Sequence, residues 1–413
     1  LLVLLIVTTV SLYMELFIYS RLPFEAGRLL GIFARIPFAW PFYSVTKFGI
    51  LFLVMLPVTI VSGMILPVCI RICEMSVSHI GRDVAKVYAI NTIASLLGIL
   101  VAGQLFFRIF DLPQSLRTIM FIYLAMSGLL AFSLRLNKVK KPVLAPLAYL
   151  LITHIFIWKP WLPTELFIYR IDFGYSGPIF HKDFLKFIGQ KRIIDDLHGP
   201  DAHVTVLEGE KDVGIYRSMF INGKPDAGTA GDMPIQVMTG QLPILLHPDP
   251  RNVFLLGLGS GVSSGEILKH QSIEKVTTVE LAKEVFDASK SFEEYNGKFW
   301  ENPRHRLIID DGMNTLRLSK EKYDLILLEP TNVWQAGMSG LFSEDFFKIV
   351  RSRLKTGGIA AQWMHTYLVD DRSVNLVLKT FSAVFPDASI FQCDRNNFLL
   401  VGYDKEWNFN PDS

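Results

Sequence analysis

Cysteine and charge are both scarce in this chain. Only three of its 413 residues are cysteine: Cys69, Cys73 and Cys393. Three thiols cannot build the disulfide framework of a small secreted domain, and they fit a reducing compartment. Cys69 and Cys73 stand one helical turn apart in an apolar stretch. No second pair accompanies them to complete a metal set, so they are expected as small apolar packing residues. Charged residues make up 19% of the chain against 50% apolar ones, and the formal net charge is only +2. So long and apolar a chain buries a large core, which excludes disorder.

The charge is also unevenly spread. Residues 1–160 hold 14 Lys and Arg against 5 Asp and Glu, a net +9, while residues 161–413 hold 27 against 34, a net −7. The acidic second half offers no basic face for phosphates, so nucleic acid is not an expected partner. The first half has five stretches apolar enough to cross a bilayer, near 1–19, 48–70, 88–107, 117–134 and 142–158. The chain opens at Leu1 with no initiator Met and no charged leader, so the first stretch does not read as a signal peptide, and further spans are expected upstream. Pro57 and Pro67 are expected to kink the second span, and Gly63, Gly98 and Gly103 to let helices approach closely. Glu15, a carboxylate inside the first span, is either a functional group, the partner of Arg21 or a side chain reaching the interface. Basic residues divide seven against seven between the two sides, so charge does not set the orientation. The expected organisation is a transmembrane helical region over 1–159, a connector and β-hairpin subdomain over 160–250, and a catalytic domain over 251–413.

Between residues 160 and 202 the pattern is mixed and reads as a connector. His203–Leu207 alternates as a strand, 209–212 reads as a turn, and 213–221 returns. Asn222-Gly223 is a second turn signal, residues 226–232 a polar loop, and 233–246 a helix. From residue 252 strands alternate with helices. Strands are expected at 253–257, 275–280, 305–309, 323–329, 359–364, 389–393 and 398–403, with helices near 261–270, 282–292, 342–354 and 370–385. Ser343 suits an N-cap, and Gly357-Gly358 the end of that helix. The pattern predicts a doubly wound, mostly parallel α/β sheet. The last two strands have no helix between them, which predicts an antiparallel edge hairpin and a methyltransferase-type Rossmann sheet.

An apolar strand, Phe254-Leu255-Leu256, runs into Gly257-Leu258-Gly259-Ser260-Gly261 and a helix. Glycines here let the backbone approach a ligand at the carboxyl edge of the sheet. Val262 stands where a dinucleotide fold needs its third glycine, so a nucleoside such as an adenosyl-sulfonium fits better than a pyrophosphate. Glu280 ends the second strand, where a carboxylate can take two ribose hydroxyls. Asp310-Asp311 follows the third strand, and Asp311 is the candidate acceptor for an adenine amino group, leaving Asp310 as a helix cap. The fourth strand ends at Glu329-Pro330-Thr331-Asn332, with Trp334 beyond it. Glu329 is placed to orient an amine and take its proton, and Trp334 to wall the pocket. Gly261-Val262-Ser263-Ser264-Gly265 also matches a nucleophile elbow. That hydrolase arrangement needs a downstream acid and then a histidine, and it leaves Glu280 and Asp311 unused.

These residues resemble the spermidine synthase family of aminopropyltransferases, and the chain as a whole is similar to its membrane-fused bacterial members. The resemblance runs from about residue 48 to the end. It shows in 81–92, in Asn222-Gly223-Lys224-Pro225-Asp226, in Leu245-Leu246-His247-Pro248-Asp249-Pro250, in the glycine loop and in Glu329-Pro330-Thr331-Asn332. It continues at Gly340-Leu341-Phe342-Ser343 and Gln362-Trp363. It implies transfer of an aminopropyl group from decarboxylated S-adenosylmethionine to a diamine such as putrescine, giving spermidine and methylthioadenosine without a metal. It implies a cofactor cradle of Gly257, Gly259, Ser260, Gly261, Glu280 and Asp311, a catalytic Glu329, and acceptor contacts from Gln236, Asn332 and Trp334. Expected partners are a small cationic amine and the lipid bilayer, with self-association left open. The expected place is a bacterial inner membrane with the catalytic domain in the cytoplasm. Three departures from the family pattern stand out. Ser260 replaces a loop Asp, Asn332 replaces the second Asp of the Asp-Ser-x-Asp motif, and Ile235 falls near a helpful Tyr. They keep open a methyltransferase using intact S-adenosylmethionine, and a non-catalytic polyamine or nucleoside sensor with a transporter-like membrane half.

Overall fold

The computed structural model describes residues 1–19, 40–73, 80–106, 109–110, 112–133, 190–211, 214–333, 337–367 and 369–404, with the single positions 22, 25, 29, 151 and 335. The chain divides into two compact units, Leu1–Gln190 and Lys191–Ser413.

The described part of the first unit is helical: α1 (Leu2–Tyr19), α2 (Trp40–Cys73), α3 (Ile80–Val101) and α4 (Leu112–Ser133). Met120, Leu124, Ser127 and Ala131 form a buried stripe on α4 at helical spacing, and α4 packs against α1. Among the described residues three helices are long and apolar enough to cross a bilayer, at Pro41–Cys73, Ile80–Val101 and Gln114–Phe132; Leu2–Glu15 is apolar but shorter. Apart from Leu151, the expected span at 142–158 lies outside the described residues. α2 runs through Pro57 and Pro67 without interruption. Among the described residues, nothing stands within 4 Å of a Cβ placed at Gly63, Gly98 or Gly103. α3 buries none of its residues, and Ile90, Ile93, Leu96 and Leu100 point outward.

The second unit opens with four antiparallel strands in the order β1-β2-β3-β4: β1 (Arg192–His198), β2 (His203–Lys211), β3 (Gly214–Ile221) and β4 (Lys224–Gly228). β1 lies within the stretch expected as connector, β2 continues through the expected turn at Gly209, and β4 takes up part of the expected polar loop. Strand pairing overrides local turn propensity here, because the Gly209 and Glu210 positions have ladder partners in Tyr216 and Ile215. Helix α5 (Met233–Leu246) follows.

The main sheet has seven strands in the order β10-β11-β9-β8-β5-β6-β7. They are β5 (Asn252–Leu256), β6 (Lys275–Glu280), β7 (His305–Ile309), β8 (Tyr323–Leu328), β9 (Leu354–His365), β10 (Ser389–Gln392) and β11 (Asn397–Tyr403). β7, β6, β5, β8 and β9 run parallel, and β11 is antiparallel to both β9 and β10. Counted within the sheet this is 3-2-1-4-5-7-6, the methyltransferase-type Rossmann arrangement with its terminal antiparallel hairpin. Helices α6 (Val262–Leu268), α7 (Lys283–Ser289), α8 (Gly312–Leu318), α9 (Glu344–Arg353) and α10 (Asp371–Val384) make the crossovers. Ser343 caps α9 through Phe346 N at 3.2 Å, but the helix ends at Arg353, and Gly357-Gly358 lie inside β9.

The sheet is buried on both faces, as parallel sheets are. Val253, Leu255, Leu325 and Leu327 enter one core, while Phe254, Leu256, Ile326 and Leu328 enter the other. All six residues of β8 are buried. The strand-order reversal between β5 and β8 leaves a crevice at their carboxyl ends.

Candidate active site

The crevice is a cavity of about 320 Å³. It is built from the turn after β5, the ends of β6 and β8, the cap of α8, strand β4 and helix α5. Gly257 opens the turn with φ +91, and a Cβ there would run into the carbonyl of Glu329. Only glycine therefore lets β5 and β8 end side by side at this height.

Glu280, at the end of β6, accepts from Leu258 N at 3.1 Å through one carboxylate oxygen and from Ala282 N at 3.0 Å through the other. It thus fixes the glycine turn and the entry to α7 together. Burial raises its carboxyl above the usual range, and those amides oppose the rise. Asp311 also lines the cavity, but it is itself the cap of α8, accepting from Asn314 N at 2.7 Å. Asp310, expected as the cap, is exposed and accepts from the amide of Asp311.

Glu329 follows β8 and is held by its amide to Leu256 O at 2.8 Å. Burial pushes its carboxyl up to about 7, against hydrogen bonds from Ser263 and Thr239 that pull it down. Ser263 Oγ lies 2.6 Å from Glu329 Oε1 and 2.9 Å from the carbonyl of Gln236. The hydroxyl has one proton, and a carbonyl has none to give. With Glu329 protonated, Glu329 donates to Ser263 and Ser263 donates to Gln236, so both contacts are hydrogen bonds. With Glu329 ionised, Ser263 must turn to the carboxylate and abandon the carbonyl. Thr239 is spent in the same way, on Ile235 O at 2.9 Å. These hydroxyls reach Glu329 because α5 and α6 touch at Gly240, where a Cβ would come within 2.9 Å of Ser263 O. Ser263 is fully buried with no histidine among these partners, so the nucleophile-elbow arrangement is absent.

A second polar cluster lies across the cavity. Lys224 pairs with Asp226 and donates to Thr331 Oγ1 at 2.9 Å. Thr331 in turn reaches Asp226 Oδ1 and Gln335 Oε1, both at 2.8 Å. Burial raises the Asp226 carboxyl, and Lys224 opposes it. The spacing of the sequence points to none of these as ligands, although Lys224, Asp226 and Thr331 stand in motifs that carry the resemblance, and the Asn222-Gly223 turn delivers Lys224 and Asp226 on one short strand.

Of the candidates, Gly257, Gly259, Gln236, Glu280, Asp311 and Glu329 line the cavity, whereas Ser260, Gly261 and Asn332 do not. Ser260 is buried and donates to Gln236 Oε1. Gly261 caps α6 with φ +79. Asn332 is fully buried and donates to Tyr367 Oη at 2.9 Å. Trp334 lies outside the described residues. Trp363 and Tyr367 supply aromatic surface that was not foreseen.

Residues 233–395 match the family model of the spermine/spermidine synthase domain. The polyamine aminopropyltransferase of Thermococcus onnurineus (strain NA1) is 32% identical over 168 residues, which are 40% of this chain and 57% of that protein. That of Buchnera aphidicola subsp. Schizaphis graminum is 28% identical over 217 residues, 52% of this chain and 75% of that protein. Polyamine aminopropyltransferase 1 of Pseudomonas aeruginosa is 29% identical over 209 residues, 49% and 72% respectively. The chain thus spans little more than half the length of the Thermococcus relative. Among solved structures, spermidine synthase in complex with the transition-state analogue AdoDATO superposes with a TM-score of 0.49 at 22% identity, covering 54% of this chain and 78% of that one. The spermidine synthase of Thermotoga maritima gives 0.47, 22%, 54% and 77%. The cavity residues from Ile235 to Tyr367 fall inside the matched stretch: residues 233–395 carry a spermine/spermidine synthase domain.

Proposed function

We propose that this chain is a membrane-anchored aminopropyltransferase, with helices of the first unit in the bilayer and the synthase domain in the cytoplasm. One observation carries the reading. A carboxyl group pushed up to about 7 stands at the switch point of the sheet, beside a glycine turn clasped by a second carboxylate. The donor is decarboxylated S-adenosylmethionine, with its ribose on Glu280 and its adenine toward Asp311. The acceptor is an amine such as putrescine, held near Gln236 and the aromatic wall. Its uncharged nitrogen attacks the aminopropyl carbon next to the sulfonium. The C–N bond forms, the C–S bond breaks with its electron pair going to sulfur, and methylthioadenosine leaves. Glu329 takes the proton that the new secondary amine sheds. A carboxylate with a pKa near 7 is ionised often enough to accept it and is well matched to the task. Acidic residues outnumber Lys224 around the cavity, which suits cationic substrates.

A second reading, methyl transfer from intact S-adenosylmethionine, is favoured by Ser260. The glycine turn presents no carboxylate at that position, and its hydroxyl is turned away to Gln236. One experiment tests both. The purified chain is incubated with putrescine and either donor, and the products are read by mass spectrometry. Spermidine with methylthioadenosine is the expected result; S-adenosylhomocysteine alone would replace aminopropyl transfer with methyl transfer.

A further inference from the structure

The antiparallel sheet ahead of the Rossmann domain carries a cluster that the proposed reaction does not use. Asp196 and His198 are two apart on β1 and so project from the same face. The ladder sets His203 of β2 directly opposite His198, and Thr205 directly opposite Asp196. The other face of the same strands, Leu197 with Val204, goes to the core. Two imidazoles and one carboxylate are thereby forced onto a common patch by strand register alone. One ligand atom from each of Asp196, His198 and His203 lies within 4.8 Å of the other two. The two rings stack at 4.1 Å with an 18° tilt. Both turn Nε2 to the same carboxylate, His203 at 2.6 Å and His198 at 3.7 Å from its two oxygens. The Thr205 hydroxyl donates to Asp196 Oδ1 at 3.2 Å, and the amide of His203 is anchored on Asn222 Oδ1 at 3.0 Å.

We propose that Asp196, His198 and His203 form a binding site for a divalent transition cation of the zinc class. Two borderline nitrogen donors and one carboxylate are the ligand set such ions select, whereas magnesium and calcium prefer oxygen throughout. Ligand atoms around a tetrahedral zinc with bonds of about 2.0–2.1 Å stand about 3.3 Å apart, and the two measured separations bracket that value. His203 is buried, while the Asp196 and His198 side chains keep 27% and 21% of their surface exposed, so an ion can enter and keep a water as its fourth ligand. Thr205 then holds the carboxylate from behind, as outer-shell partners of metal ligands do. His198 and His203 bracket the hairpin turn closed by Gly199 N to Ala202 O at 3.0 Å, and Asp201 and Ala202 of that turn line the active-site cavity. The ion clamps the base of the turn and fixes one wall of the cavity.

The whole chain, stripped with chelator, is titrated with Zn²⁺ by calorimetry and with Co²⁺ by visible absorption. One ion per chain and a tetrahedral Co²⁺ spectrum are expected. His198→Ala and Asp196→Asn should each weaken Zn²⁺ binding about 100-fold while the metal-free chains still melt cooperatively. Asp196→Asn keeps the shape and one oxygen, so it decides the case if His198→Ala does not fold. No binding at micromolar Zn²⁺, or binding that both variants retain, would overturn the site.

Discussion

Replacing Glu329 by Gln should stabilise the protein at alkaline pH while it abolishes the reaction. The folded chain holds this carboxyl at about 7 against an ordinary value of 4.5. A raised carboxyl binds its proton more tightly when folded. Its contribution is therefore fully present below the unfolded pKa and is lost as pH rises through 4.5 toward 7. Two and a half pH units at 1.36 kcal/mol each amount to a penalty of about 3 kcal/mol above pH 7, and below about 1 kcal/mol at pH 5. Gln has the shape of the protonated acid, and its amide can donate to Ser263 just as the acid does, so it escapes the penalty. In a unit of this size about 3 kcal/mol corresponds to a melting shift of several degrees. The assay is the melting temperature of parent and Glu329→Gln chains, in the same detergent, at pH 5 and pH 8. The variant should melt close to the parent at pH 5 and several degrees higher at pH 8, with turnover reduced at least 100-fold. A constant difference at both pH values would mean that Glu329 does not titrate near 7, and the proton count around Ser263 would fall with it.

Turnover of the parent should rise with pH through about 7, because in the proposed reaction the ionised Glu329 takes the proton; a rate flat from pH 6 to 8 would remove it as the base. Glu280→Ala should weaken methylthioadenosine binding tenfold or more, in line with about 1.5–3 kcal/mol for hydrogen bonds to a charged group, and calorimetry giving a parental Kd would reject the ribose assignment. Lys224→Met leaves Asp226 buried without its cation and should cost about 3 kcal/mol. Adding Asp226→Asn should recover much of that loss in thermal melts. Gly257→Ala meets both a left-handed φ and the Glu329 carbonyl, so it should cost at least about 1–2 kcal/mol and disturb the site. Unchanged melting and activity would show that β8 can yield there.

Much of the sheet was legible because its strands obey local rules. Phe254–Leu256 and Asp324–Leu328 are unbroken buried runs that only a doubly covered sheet requires, and Ser343 announces the start of α9. β1 was not legible. Its segment Arg-Ile-Ile-Asp-Asp-Leu-His has no clean alternation, and the register shift between Ile193 and Asp195 breaks the period. Gly209 and Gly357 read as stops but sit inside strands, since ladder bonds formed with distant partners outweigh local preference. In the site, Gly257, Glu280 and Glu329 were accessible from their place at strand ends. Ser263 and Lys224 were not, because each acquires its meaning only by meeting Glu329 or Thr331, 66 and 107 residues further along the chain.

The acid excess of the second half needs the same correction by geometry. A count of carboxylates suggests a cavity ready to take two cationic substrates, yet most of those groups are already engaged. Glu280 is held by two backbone amides, Asp226 by Lys224, and Asp311 by the start of α8. Glu329 differs from these in that burial holds its carboxyl near 7, so its charge is set by the proton it carries. Part of the electrostatic pull on an incoming amine therefore comes from a group that is neutral below about pH 7. In the proposed reaction, binding of a cationic acceptor and removal of the proton shed by the new secondary amine depend on the same ionisation. The acceptor's KM should therefore fall as kcat rises through that pH, whereas the affinity for a neutral nucleoside such as methylthioadenosine should stay nearly constant across it.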